Sequence, residues 1–176
     1  MQVVKNCLFA FSPQDKGIMV KTCLTGLILL FGLAHSSAQC PNGWKTYDTS
    51  CYLFGHTSYS FHESQLFCLH FGANLVNIES SIENAFIRGE LMTLKAPRHW
   101  IGLTDEVSEG IWTLYPSEKV ATFLDWSHWS QPNDGIYANC AAFFAGDHDY
   151  HWVDEPCGRE FNPICEMPVN HPHIVG

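Results

Sequence analysis

Six cysteines constrain this chain more than any other feature. Cys40, Cys51, Cys68, Cys140, Cys157 and Cys165 are spread over nearly the whole C-terminal part of a 176-residue sequence. How they are read depends on the redox compartment, and the segment before them speaks to that. Residues 1–38 have the makeup of a secretory leader. Cys23 to Ala34 is an apolar run too short to span a bilayer. Lys16 and Lys21 precede it, and Ser36-Ser37-Ala38 offers the small residues that signal peptidase accepts. Met19 lies closer to the usual start of such a signal than Met1 does. Cleavage after Ala38 leaves a secreted chain that begins at Gln39. An even number of cysteines in a secreted chain reads as three disulfides. Zinc is disfavoured, because no C-x-x-C pair occurs. Spacing alone does not choose among the possible pairings.

Charge narrows the partners. The whole chain has 9 Lys+Arg against 18 Asp+Glu, a formal net charge of -9. Removing Lys5, Lys16, Lys21 and Asp15 with the leader turns those counts into 6 and 17, a net of -11. Such a chain repels phosphate backbones and anionic lipid surfaces, so nucleic acid is a poor partner, anionic membrane surfaces are disfavoured, and no membrane span is expected. Cations are its natural partners. With 46% hydrophobic and 15% charged residues, the composition is globular. The length fits one domain at residues 39–167, a leader before it and a short tail at residues 168–176.

Local signals predict an α+β order. Residues 40–54 read as a hairpin, with turn residues between Cys40 and Cys51. Ser60 to Glu63 is a capping box that opens a helix ending near Gly72, with Leu66, Phe67 and Phe71 as its apolar positions. Ser80 to Glu83 is a second box, followed by Ile82, Phe86 and Ile87, and Pro97 marks that helix's exit. Short strands follow at residues 100–103, 111–114, 140–144 and 163–166. Residues 115–139 form a long loop with Pro116, Pro132, Gly135 and two tryptophans, and loops of that length are usually functional or disordered. Asp147 to His151 reads as an exposed hairpin tip in preference to a transition-metal site. No nucleophile elbow, H-E-x-x-H or phosphate-binding glycine loop occurs, so the chain does not read as an enzyme.

These residues carry a family pattern. Two capped helices, then Trp100-Ile101-Gly102-Leu103, then Gln131-Pro132-Asn133, then Trp152, all bracketed by cysteines, resemble a C-type lectin-like domain. The resemblance covers Cys40 to about Met167. In length and flavour the chain is similar to secreted single-domain lectins of invertebrates, perlucin-like proteins included. The resemblance implies an α+β fold of two helices and small antiparallel sheets with a long binding loop. It implies the pairs Cys40–Cys51, Cys68–Cys165 and Cys140–Cys157.

It also implies calcium as cofactor and glycans, mannose- or galactose-type, as partners, microbial surfaces among them. Carried over by position, Gln131 and Asn133, around a cis Pro132, and Asp154 form the carbohydrate-binding calcium site, where two sugar hydroxyls complete the ion's shell. Asp105, Glu109, Asp134 and Asn139 match an auxiliary calcium site. Calcium takes six to eight oxygens, and its affinity rises with their charge. Two expected ligands are replaced here, one by Ala138 and one by Val153, which leaves Asp154 as the one formal charge of the first site. Weak calcium binding is therefore expected there. Gln131-Pro132-Asn133 mixes the mannose and galactose signatures, so the sugar is not specified. Trp129 or Tyr137 is suited to stack on a sugar, while Trp126 and Trp152 read as core. The rival reading is an acidic extracellular-matrix or biomineral-associated module that has lost calcium-dependent sugar binding.

Overall fold

The computed structural model describes residues 39–128, 131–132 and 134–169. The leader therefore lies outside the described residues, as do Trp129, Asn133 and the end of the tail. Among the described residues no helix is long and apolar enough to cross a membrane.

The chain begins with a hairpin of β1 (Lys45–Tyr47) and β2 (Ser50–Phe54). Helix α1 (Phe61–His70) starts where its capping box lies. Ser60 Oγ accepts from the Glu63 amide at 3.4 Å, and the Glu63 carboxylate accepts from the Ser60 amide at 3.1 Å. Both satisfy amides that the first helical turn leaves without intrahelical partners. Helix α2 (Ser81–Leu94) is capped by Ser80 and ends at Lys95, which takes a left-handed conformation two residues before Pro97.

The buried stripe of α1 is Phe61, Ser64, Gln65 and Cys68, at spacing i, i+3, i+4, i+7. This corrects the expected apolar face: Leu66 is 65% exposed and Phe71 44% exposed. Two anchors decide which side turns inward. Cys68 is bonded to Cys165, and the Gln65 carboxamide accepts the Leu75 amide at 2.8 Å and donates to Asn74 at 2.8 Å. On α2 the buried residues are Asn84, Ile87 and Leu91, and Ile82 is 71% exposed.

The remaining strands are β3 (Asn74–Leu75), β4 (Arg98–Thr104), β5 (Thr113–Leu114), β6 (Lys119–Val120), β7 (Cys140–Phe144), β8 (His151–Glu155) and β9 (Asn162–Pro168). Strand β9 pairs antiparallel with β2 and β3 and parallel with β4, and β4 also pairs antiparallel with β5 and β7. Strand β8 pairs with β7 and was not predicted, because His151, Asp154 and Glu155 disguise it. Strand alternation along β4 feeds two cores. Ile101 and Leu103 join Val76, Ile87, Leu91, Phe143 and Trp152; Trp100 joins Phe61, Leu75, Val153 and Phe161. Gly102 sits between them where backbone crowds in: a Cβ there would lie 2.8 Å from the Leu75 carbonyl oxygen and 3.1 Å from that of Tyr115. Only glycine fits that crossing. β9 reaches Pro168, and the buried Val169 donates its amide to the Thr49 carbonyl at 2.8 Å, so the first residues of the expected tail belong to the sheet.

Three disulfides join Cys40 to Cys51, Cys68 to Cys165 and Cys140 to Cys157. The fold is α+β, with two helices beside a strand network that β9 and β4 tie together, and the disulfides pair as expected.

Candidate functional site

Strand β4 ends at Thr104, and the residue after it, Asp105, is buried. Its position is fixed from the start of β7. The Asn139 carbonyl accepts from Thr104 Oγ1 at 2.6 Å and from the Asp105 amide at 3.2 Å. Asp105 Oδ2 accepts the Gly110 amide at 2.8 Å, which closes the loop that carries Glu109. Asp105 Oδ1 and Asn139 Oδ1 are buried and accept no hydrogen bond among the described residues. Burial raises the Asp105 carboxyl above the ordinary carboxylate range, and the charges of Asp154 and Glu106 push the same way.

The long loop meets this corner. Gln131–Pro132 is a cis peptide. Gln131 Oε1 accepts the Asp154 amide at 3.4 Å, and Asp154 Oδ2 accepts the Asp134 amide at 2.9 Å. Asp154 itself is buried on β8. Glu109 is exposed, and its Oε1 lies 3.7 Å from the point where a side chain on Gly135 would begin. The structure thus brings Gln131, Asp134 and Asp154 into contact, joins Asp105 to Asn139, and couples the two groups through the Asp105 and Asp154 charges. Asn133 lies outside the described residues.

The donor set is made of carboxylate, carboxamide and carbonyl oxygens, which suits a hard divalent cation of the calcium type. Buried oxygens with no donor facing them fit such an ion, since otherwise their desolvation has no return. Asp105 and Asn139, with Glu109 and Asp134 at the edge, fit the auxiliary position. The other position is poorer. Ala138 and Val153 are buried, and Val153 packs with Trp100, Cys140 and Ala142, so neither brings an oxygen side chain. The sulfurs of Cys140 and Cys157 approach Glu106 but are bonded to each other, so they hold no metal.

Other expectations sort cleanly. Tyr137 is 79% exposed on a short 3-10 turn beside the loop. Trp126 packs on the core against Trp112 and Trp152, the latter fully buried. The segment 145–150 is the tip between β7 and β8, as its turn residues suggest, although His151 is already in the strand.

Sequence reasoning missed two features. One is Thr104, whose hydroxyl holds the Asn139 carbonyl; nothing in the local sequence marks it. The other is an acidic recess of about 580 Å³ lined by Tyr47, Ser50, Tyr52, Asn77, Glu79, Glu83 and Glu166, among others. The Tyr52 hydroxyl donates to Glu83 at 2.9 Å, and the Asn77 amide donates to Glu166 at 3.3 Å. Burial raises the Glu83 and Glu166 carboxyls, and the neighbouring glutamate charges add to it. Glu166 lies far in sequence from Glu79 and Glu83, so nothing local signalled the recess.

Residues 57–167 match the family model of the lectin C-type domain. The chain is similar to a perlucin-like protein of Mytilus galloprovincialis, 29% identical, with 81% of this chain and 96% of that protein covered. It is also similar to lectin BRA-3 of Megabalanus rosa, 32% identical, with 83% and 90% covered. Among solved structures, the carbohydrate-recognition domain of the mouse scavenger receptor C-type lectin aligns with a TM-score of 0.68 at 29% identity, covering 75% of this chain and 98% of that one. The Ca2+-free form of a Ca2+-dependent type II antifreeze protein aligns with a TM-score of 0.65 at 26% identity, covering 73% and 99%.

Proposed function

The chain belongs to the lectin C-type domain family, and on that premise we propose that it is a secreted lectin that binds saccharides with the help of calcium. In this reading residues 1–38 are removed and the domain acts outside the cell. Gln131, Asn133 and Asp154 hold the ion that the sugar meets, and two neighbouring sugar hydroxyls complete its oxygen shell. Asp105, Glu109, Asp134 and Asn139 hold a second ion that shapes the loops. When bound, calcium supplies positive charge to a corner built from acids.

The observation that carries the reading is the pair of buried oxygens, Asp105 Oδ1 and Asn139 Oδ1, facing no donor among the described residues. The charge of Asp154, which holds the Asp134 amide, acts on Asp105. The relatives support the class of ligand, since one is named a lectin and another a carbohydrate-recognition domain. Mannose- and galactose-type glycans on microbial surfaces, and with them a defence role, are the natural ligands to try. The protein's own chemistry is binding alone: oxygen atoms orient a sugar, and no bond is made or broken.

A glycan array with the oxidised protein tests this. Binding in CaCl2 that disappears in EDTA supports it, and Asp154→Asn should abolish the same signal. Binding unchanged in EDTA removes calcium from the account. Binding to no glycan removes the lectin reading and favours the matrix-module reading, for which the apolar Ala138 and Val153 already speak.

A further inference from the structure

Away from the oxygen-rich corner, the stem of the long loop and strand β8 bring imidazoles together. The His128 and His151 rings have centroids 5.3 Å apart, tilted 53° to one another. His128 is exposed, and the His151 side chain keeps 17% of its surface. His151 Nδ1 lies 2.9 Å from Asp125 Oδ2, an ion-pair contact rather than a well-aligned hydrogen bond. That carboxylate is itself fixed. Asn84 Nδ2 donates to Asp125 Oδ2 at 2.6 Å, and Asn84 Oδ1 accepts the Trp152 indole N–H at 3.1 Å. Both Asn84 and Trp152 are buried. The backbone locks the same register: Trp152 donates to the Asp125 carbonyl at 2.9 Å, and Ser127 donates to the Trp152 carbonyl at 2.8 Å.

We propose that His128 and His151 form a binding site for a transition-metal dication of the zinc and copper class, with Asp125 as the positioning residue for His151. The chemistry follows from the contacts. A carboxylate beside Nδ1 keeps the proton on that nitrogen and leaves the Nε2 lone pair for a metal, the carboxylate–histidine–metal arrangement. Imidazole suits zinc and copper, whereas calcium prefers oxygen, so this site and the acidic corner select different ions. The spacing agrees: with Zn–N bonds of about 2.1 Å and a tetrahedral angle, two imidazole centroids on one ion lie about 5 Å apart. Two imidazoles leave the remaining positions to water. His148 has other partners, with its Nδ1 2.9 Å from Ser127 Oγ and its ring edge-on to Phe144 at 5.7 Å. His128 precedes Gln131 by three positions, and His151 precedes Asp154 by three. An ion on both histidines therefore ties the stem of the long loop to β8. The proposal stands whether or not calcium binds.

Calorimetric titration of the full oxidised chain with ZnCl2, in saturating CaCl2, tests it. One equivalent of zinc should bind. His128→Ala, at an exposed position where folding is not at risk, should weaken binding at least about tenfold, and His151→Gln likewise, with near-UV dichroism confirming its fold. Asp125→Asn should weaken zinc about tenfold through orientation alone. In that variant, electron paramagnetic resonance of bound Cu2+ should still show two nitrogen ligands, which a collapsed site would not. The double variant His171→Gln/His173→Gln, in the tail, should bind as the parent does. Absence of stoichiometric zinc binding overturns the proposal. So does unchanged affinity in His128→Ala, or binding that disappears with the tail histidines instead.

Discussion

On α1, the buried Gln65 carboxamide makes two hydrogen bonds of 2.8 Å, one to Asn74 and one from Leu75. At the loop end of β4, the buried Asp105 satisfies one oxygen with Gly110 and leaves the other facing nothing among the described residues. Both are polar groups withdrawn from water, yet they imply different things. A satisfied amide costs the fold little and specifies how α1 sits. A carboxylate that is buried beside Asp154 costs stability until positive charge arrives. The scaffold is thus complete as a folded object, whereas the loop corner keeps buried oxygens that face no donor among the described residues, and these are the atoms the proposed cation would meet.

The strongest way to break this contrast is to remove the scaffold's tie. Replacing Cys68 and Cys165 by Ala opens a bridge of sequence separation 97. The expected loss is about 4–5 kcal/mol, read as a shift of the guanidinium unfolding midpoint. A negligible shift would mean that β9 and α1 hold without their bridge.

The next effect belongs to the loop corner. Calcium at about 100 times its dissociation constant should stabilise the protein by about 2.7 kcal/mol. Thermal melting with and without CaCl2 reads this, and Asp105→Asn should remove the increment while leaving the calcium-free midpoint the same or higher. An increment that persists in Asp105→Asn would place the ion elsewhere.

A smaller effect sharpens the comparison in the acidic recess. Burial holds the Glu83 and Glu166 carboxyls above their ordinary value of 4.5, so the folded state binds protons that the unfolded state has released. Stability should therefore rise as pH falls from neutrality toward that value, and the gain should level off below it. Glu166→Gln, which keeps an acceptor for the Asn77 amide, should add about 1 kcal/mol at pH 7 and nothing near pH 4. Urea titrations at the two pH values check the sign. At the bottom of the scale, Leu66→Gln should change stability by less than about 0.5 kcal/mol, because that side chain lies outside the buried stripe of α1.

Legibility in the sequence followed the range of the interactions. The α1 and α2 starts were readable because helix capping is local: Ser60 and Glu63 cap each other, whereas Ser80 accepts the Glu83 amide and the Glu83 carboxylate turns instead to the Glu79 amide and the Tyr52 hydroxyl. The strand at Trp100 to Leu103 was readable from its apolar run. The face of α1 was misread, because Phe61 and Cys68 are chosen as inward residues by partners such as Cys165 and Trp100, far away in sequence. β8 was hidden by the acids and histidine that give it its roles. At the candidate site, Asp105, Gln131, Asp134, Asn139 and Asp154 could be named only through the family pattern. Their mutual contacts depend on how β4, β7 and β8 converge, and Thr104 became visible only then.

The amide of Val169 rests on the carbonyl of Thr49. The described chain thereby enters through the β1–β2 hairpin and leaves beside it along β9. Anything fused upstream of Cys40 or downstream of Val169 would pull on neighbouring rungs of β1, β2 and β9. The stretch between the two attachment points would stay whole. Such a module can be strung between other segments as a bead is, gaining neighbours or losing them without retuning what its far loops hold.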